Sequence, residues 1–257
     1  MTPTVTLNNG IEIPVVGLGT SQMKTPTETV EVIKTALKVG YRLIDTATMY
    51  GNEEPVGQGI RESAIPREEI TVTTKLWPDD FGDPQAAFAA SLARLGLDYV
   101  DIYLVHWPRG YMPEVWKTLE GFVEDGRAKT IGISNFSIED TEALLGYCDI
   151  PPALNQVQFN PFCYDAALLE YSKSKNIVLQ AYRPLTRGER IGDEAVAAMA
   201  QKYGKSSAQI LIRWNLEHGI TAIPKSTHEE RLKENLDVFD FSLNEEDVCS
   251  LDALATI

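Results

Sequence analysis

Cysteine is scarce in this chain. The three that occur in 257 residues, Cys148, Cys163 and Cys249, lie far apart without paired spacing, which excludes a disulfide framework and a cysteine-built zinc site; buried, reduced thiols are the better reading, and no metal is implied. No apolar run is long enough to span a bilayer, and the opening MTPTVTLNNG has no basic region leading into an apolar stretch. The sequence therefore predicts a soluble, cytoplasmic protein. Basic residues are also few: 23 Lys and Arg stand against 37 Asp and Glu, a net charge of −14, a balance that repels nucleic-acid phosphates and anionic membrane surfaces. Glycine patterns that cradle phosphates are missing too. Gly17-Leu18-Gly19 is not completed by a glycine three residues later, and no GxxxxGK loop occurs, so the open doubly wound dinucleotide sheet lacks its fingerprint.

What is present is ordinary globular material, 44% apolar and 23% charged, with enough for a substantial core. The first thirteen residues read as a hairpin, about 4–13, in which Asn9-Gly10 turns between Val5-Thr6-Leu7 and Ile11-Glu12-Ile13. Eight β-like runs follow, near 15–17, 41–45, 70–75, 101–106, 130–134, 154–158, 177–182 and 221–224. Amphipathic helical patterns lie between them at 28–39, 84–95, 113–125, 138–148, 193–203 and 207–218. Eight alternations without a linker predict one α/β domain over 1–257, a closed (β/α)8 TIM barrel over about 15–257 with the hairpin capping its bottom.

Three of these runs end in, or lead to, four chemically active side chains: Asp45 after YRLI with Tyr50 just beyond it, Lys75 after ITVTT, and His106 after DIYLV. Taken singly, each has a bland explanation as a loop cap, a solvated strand end, a core histidine or one tyrosine among ten. A parallel barrel brings strand ends to one rim, where barrel enzymes place their chemistry, and there the four would meet. A buried lysine needs a counter-ion, and Asp45 is the carboxylate at hand. An ammonium about 4 Å from a phenol favours the phenolate by roughly 4 kcal/mol at an effective dielectric near 20, enough to bring Tyr50 toward proton exchange near neutrality. Burial at the end of an apolar strand should keep His106 neutral, an orienting donor for an oxygen, and the transferred proton is assigned to Tyr50.

The segments GLGT at 17–20, IDTATMYGNE at 44–53, TTKLW at 73–77, DIYLVHWP at 101–108, IGISNF at 131–136, NQVQFNP at 155–161 and IPKSTHEERLKEN at 223–235 together resemble those of an aldo-keto reductase. The likeness runs from the hairpin to Leu254, and is strongest to bacterial 2,5-diketo-D-gluconate reductase-like members. It implies a barrel, an Asp, Tyr, Lys, His tetrad on Asp45, Tyr50, Lys75 and His106, and a nicotinamide dinucleotide extended across the barrel mouth. By motif, Ser134, Asn135 and Gln156 would bond the carboxamide and Tyr182 would stack on the nicotinamide; Thr20 and Leu185 belong to the same binding set. Lys225, Ser226, Thr227, Arg231 and Asn235 match positions that hold an adenosine 2′-phosphate, which makes NADPH the expected cofactor.

The expected reaction is reduction of aldehydes, dicarbonyls or keto sugars to alcohols, at a mouth lined by Trp77, Trp107 and Tyr111. Ser21 and Gln22 stand where similar sequences carry a bulky pocket wall, and Arg183 stands where they read YSPL. The chain ends at Ile257 soon after its last helix, without the long C-terminal loop of larger relatives. A monomer with a small-molecule carbonyl substrate and no nucleic-acid or membrane partner is expected. A cofactor-binding sensor of the same fold with little turnover is the alternative.

Overall fold

The computed structural model describes residues 2–255; the chain end at Ile257 lies outside the described residues. Strands β1 (Thr4–Thr6) and β2 (Glu12–Pro14) pair antiparallel. The turn between them is three residues long: Leu7 N donates to Ile11 O at 2.8 Å, and Gly10, at φ 83°, takes the left-handed position that glycine occupies without strain.

Eight parallel strands follow in sequence order, β3 (Leu18–Gly19), β4 (Leu43–Asp45), β5 (Thr71–Leu76), β6 (Val100–Val105), β7 (Ala128–Ser134), β8 (Leu154–Gln158), β9 (Val178–Tyr182) and β10 (Thr221–Ala222). A parallel bridge between Val16 and Ala222, with Gly17 N donating to Ala222 O at 2.9 Å, joins the two edges and closes the barrel. The run expected at 15–17 thus splits its tasks. Val16 makes the closing bridge, and the paired strand is shifted to Leu18 and Gly19.

Between the strands lie α1 (Pro26–Val39), α2 (Glu53–Glu62), α3 (Pro84–Leu95), α4 (Pro113–Glu124), α5 (Ile138–Leu145) and α6 (Ala166–Ser174). Helices α7 (Glu194–Tyr203) and α8 (Ser207–Glu217) both precede β10, and α9 (Glu229–Leu236) and α10 (Glu245–Asp252) follow it. Side-chain caps start several of them. Asp83 accepts from Ala86 N, and Ser137 with Asp140 and Ser206 with Gln209 form reciprocal capping boxes. Helix α5 stops three residues short of the expected 148, with Gly146 at its C-cap.

Buried apolar side chains fill the layer between strands and helices, where Phe88, Tyr103 and Phe122 stack within 6 Å of one another. The hairpin closes the opposite end from the site. Leu7 and Ile13 pack on Ile102, Leu104 and Leu154, and Asn9 Nδ2 reaches Thr130 Oγ1 at 2.8 Å. With the bottom plugged by apolar groups, the polar chemistry is confined to the carboxyl ends of the strands.

Candidate active site

Asp45 is the last residue of β4, Lys75 lies near the end of β5, and His106 directly follows β6. Tyr50 ends a short helical turn, Thr48–Tyr50, that leads toward α2. Lys75 is fully buried and donates to Asp45 Oδ1 at 2.7 Å and to Thr46 O at 2.8 Å, while its Nζ lies 3.4 Å from Tyr50 Oη. The His106 ring stands edge-on to Tyr50 at 5.8 Å and to Trp77 at 5.2 Å. The sequence-expected tetrad is therefore one cluster.

Its electrostatics follow from burial. Desolvation pulls the Lys75 ammonium down, yet the charge of Asp45 and its contact with Tyr50 outweigh it, and the pKa is raised. Burial, with a smaller contribution from Lys75, pushes His106 down to about 3, the neutral state expected for it. Tyr50 departs from expectation. Burial raises its phenol above the ordinary value; Lys75 pulls it back only in part, because Asp45 beside the ammonium opposes that pull. A neutral phenol is the form that can give a proton.

The polar shell continues around the rim. Gln156 Nε2 donates to Asp45 Oδ2 at 2.7 Å and to Gln180 Oε1 at 2.8 Å, so both its N–H groups are used. Ser134 Oγ donates to Gln156 O at 2.8 Å. Asn135, at φ 63°, donates to His106 O and to Ser134 Oγ, both at 3.0 Å, and accepts from Tyr182 Oη at 2.7 Å.

These groups open into a pocket of about 1260 Å³ that runs from Asp45, Tyr50 and His106 to the segment Lys225–Asn235. Leu185, Tyr182, Lys225, Ser226, Thr227, Arg231 and Asn235 all line it, as do Trp77 and Trp107. Of the expected cofactor and substrate residues, two do not. Thr20 is buried behind the wall, with its hydroxyl donated to Asp45 O at 2.9 Å, and Tyr111 is 76% exposed, its ring against Tyr147 instead of the mouth. Arg109 does not line the pocket and pairs with Asp79 at 2.8 Å.

Lys24, Arg187, Gly188, Ile191 and His228 line the pocket without having been singled out in the sequence. The signal for the middle three was the loop after β9. There Arg183, Thr186 and Arg187 have φ of 51°, 52° and 56°, and non-glycine residues so placed, above all a β-branched threonine, mark a loop held in a costly shape.

A neutral phenol beside a buried ammonium, a neutral imidazole and a long groove with cations at its far end are the features of a barrel oxidoreductase site. The profile of the Aldo/keto reductase family matches residues 15–256, and the chain belongs to that family. It is 47% identical to an uncharacterized oxidoreductase of Bacillus subtilis, over 97% of this chain and 91% of that protein. To a Bacillus subtilis glyoxal reductase it is 45% identical, over 98% and 92%. Among solved structures, an aldo-keto reductase from a Medee basin deep-sea metagenome library superposes with TM-score 0.94 at 43% identity, covering 98% of this chain and 95% of that one. A Bombyx mori aldo-keto reductase in complex with NADP matches with TM-score 0.94 at 36% identity, covering 99% and 93%. The chain is an aldo-keto reductase, an oxidoreductase acting on carbonyl compounds and alcohols, and among its described residues no helix is long and apolar enough to cross a membrane.

Proposed function

We propose that this protein reduces small aldehydes, dicarbonyls and keto sugars to alcohols with NADPH, as a single cytoplasmic domain. The observation that carries this reading is the contact of Lys75 Nζ with Asp45 at 2.7 Å and with Tyr50 at 3.4 Å, at one end of a pocket whose other end is cationic. The pocket fits the cofactor chemically: on a chain of net charge −14, Lys225 and Arg231 are exposed at its far end. The only ion pair within α9 joins Lys233 to Glu229. Among the described residues Arg231 makes no ion pair, and an arginine can grip a 2′-phosphate with two parallel bonds.

Bound NADPH supplies the hydride. Tyr50 gives its proton to the carbonyl oxygen, and Lys75, kept charged by Asp45, stabilises the phenolate left behind. His106 orients that oxygen. Its buried Nδ1 has no partner, and since an orphaned N–H is rarer than an unmet acceptor, the proton belongs on Nε2, facing the pocket. Gln156, with both N–H groups committed, offers its Oε1 to the carboxamide, and Ser134 and Asn135 complete that grip. Tyr182, fixed through Asn135 at 2.7 Å, is the ring that stacks on the nicotinamide. Trp77 and Trp107 wall the substrate side, and similarity to a glyoxal reductase favours small dicarbonyls within the range.

Tyr50→Phe tests the assignment. NADPH affinity should stay within about threefold while turnover on a panel of aldehydes and dicarbonyls falls by roughly a hundredfold to ten-thousandfold. Normal turnover in that variant removes Tyr50 as donor. NADPH binding without turnover in the wild type favours a sensor.

A further inference from the structure

The Lys75 Nζ to Tyr50 Oη distance of 3.4 Å sits at the long edge of a hydrogen bond, and neither residue can fix it alone. Lys75 rides on β5, whereas Tyr50 ends a short turn between β4 and α2. A second polar cluster, outside the pocket, ties those two supports together. Glu53, the first residue of α2, is only 2% exposed. Its Oε1 accepts from the Thr74 hydroxyl at 2.6 Å, one residue before Lys75. Successive strand residues face opposite sides, so Thr74 points out to the helices as Lys75 points into the barrel.

The other oxygen of Glu53 accepts from Arg94 Nε at 2.7 Å and lies 2.6 Å from Arg94 Nη2. Arg94 Nη2 donates onward to Ser91 Oγ at 3.1 Å and Thr48 Oγ1 at 3.3 Å, and those two hydroxyls are 3.0 Å apart. Thr48 opens the turn that Tyr50 closes. The segment 48–53 is thus pinned at both ends to the helix and strand layer, with Tyr50 between the pins. Glu53 is buried but the Arg94 side chain is 42% exposed, so the pair is screened by water on one side and is weak evidence for stability. What such a pair does supply is fixed geometry.

We propose that Glu53, acting with Arg94, is a positioning residue: its buried carboxylate locks β5 to the turn at 48–50 and so holds Tyr50 beside the Lys75 ammonium. Why the distance matters rests on the carbonyl-reduction reading; the brace itself does not. The charged groups that face Tyr50 are Lys75, Asp45 and Arg183, with the His106 ring at 5.8 Å, and none of them is altered by removing the brace.

The test follows Tyr50 in the cofactor-free protein by tyrosine ring-carbon NMR across alkaline pH, with Tyr50→Phe identifying the resonance. Glu53→Gln keeps the side-chain volume and removes the charge; Thr74→Val removes the other contact, and serves alone if Glu53→Gln does not fold. In both variants Tyr50 should titrate at higher pH than in the wild type, because a slackened turn weakens the ammonium's pull. In parallel, kcat should fall roughly tenfold with KM and NADPH affinity within about twofold, and Arg94→Lys should retain most of the activity that Arg94→Met loses. An unmoved Tyr50 titration in both variants overturns the brace, whatever happens to the melting temperature. Failure of the wild type to turn over any carbonyl would instead count against the proposed function and leave the titration comparison standing.

Discussion

His106 shows how burial holds neutral a side chain whose free pKa lies near neutrality. Its pKa of about 3, set first by desolvation and then by Lys75, leaves the imidazole neutral through the working pH range. Its NMR signals should not titrate between pH 5 and 8, and the acid side of the kcat profile should show no step near 6.5. The same shift bears on stability. Below pH 6.5 the unfolded chain takes up a proton that the folded chain refuses, so stability falls as pH drops from 6.5 toward 3, by about 2 kcal/mol at pH 5. His106→Gln should flatten that part of a urea-midpoint curve against pH; an unchanged slope would place the titration elsewhere. The tetrad was legible in the sequence because Asp45, Lys75 and His106 each end a recognisable run and Tyr50 lies just beyond the first. The net direction of the Tyr50 shift was not, since it depends on how deeply the phenol is buried against how well Asp45 offsets Lys75.

At the far end of the pocket, the proposed NADPH preference can be tested at Arg231. Arg231→Ala should weaken NADPH binding by roughly tenfold to a hundredfold and leave NADH nearly unchanged, as expected for losing charge-assisted bonds to a single phosphate. Equal losses for both nucleotides, measured by fluorescence quenching, would end the 2′-phosphate assignment.

Among the helices, α2 and α3 depend on one missing side chain. A Cβ on Gly57 would lie 1.9 Å from the carbonyl oxygen of Leu95, which is backbone at the C-terminus of α3 and cannot give way cheaply. That close approach also lets Arg61 reach the Leu95 carbonyl, and it sets Glu53 near Arg94. Gly57→Ala should therefore destabilise by about 3 kcal/mol or more. By contrast Gly121→Ala, in α4 with open space around it, should stabilise by about 0.5–1 kcal/mol. Opposite signs in a denaturation series would confirm that packing, not helix propensity, holds this glycine. The periodic helices α1, α3, α4, α7 and α8 were readable from the sequence. Helices α2, α6 and α10 went unread; α6 and α10 are nine and eight residues long, too short for a periodic pattern to stand out. Strand β3 was misplaced for a related reason: two residues carry no alternation, and only the closing partner, Ala222, reveals which part of 15–19 is paired.

Over the whole molecule, surface apolarity and charge decide association. The large exposed apolar side chains among the described residues are Met49, Trp107, Tyr111, Ile138 and Ile191, and Met49, Trp107 and Ile191 line the pocket. An apolar surface gathered at a mouth is the kind that receives a small ligand, whereas a stable dimer needs a contiguous face of roughly 800 Å² per partner. The helices on the outside of the barrel present mixed charge, and a net charge of −14 adds mutual repulsion between copies. Sedimentation at micromolar concentration and moderate salt should accordingly give one species near 28.5 kDa. The same charge balance makes a sharper prediction when salt is varied. If the mouth rim were a dimer contact held apart only by repulsion, raising ionic strength to about 1 M, where the Debye length shrinks to about 3 Å, would drive association; a mass that stays at the monomer value with salt would argue against the rim as a dimer contact.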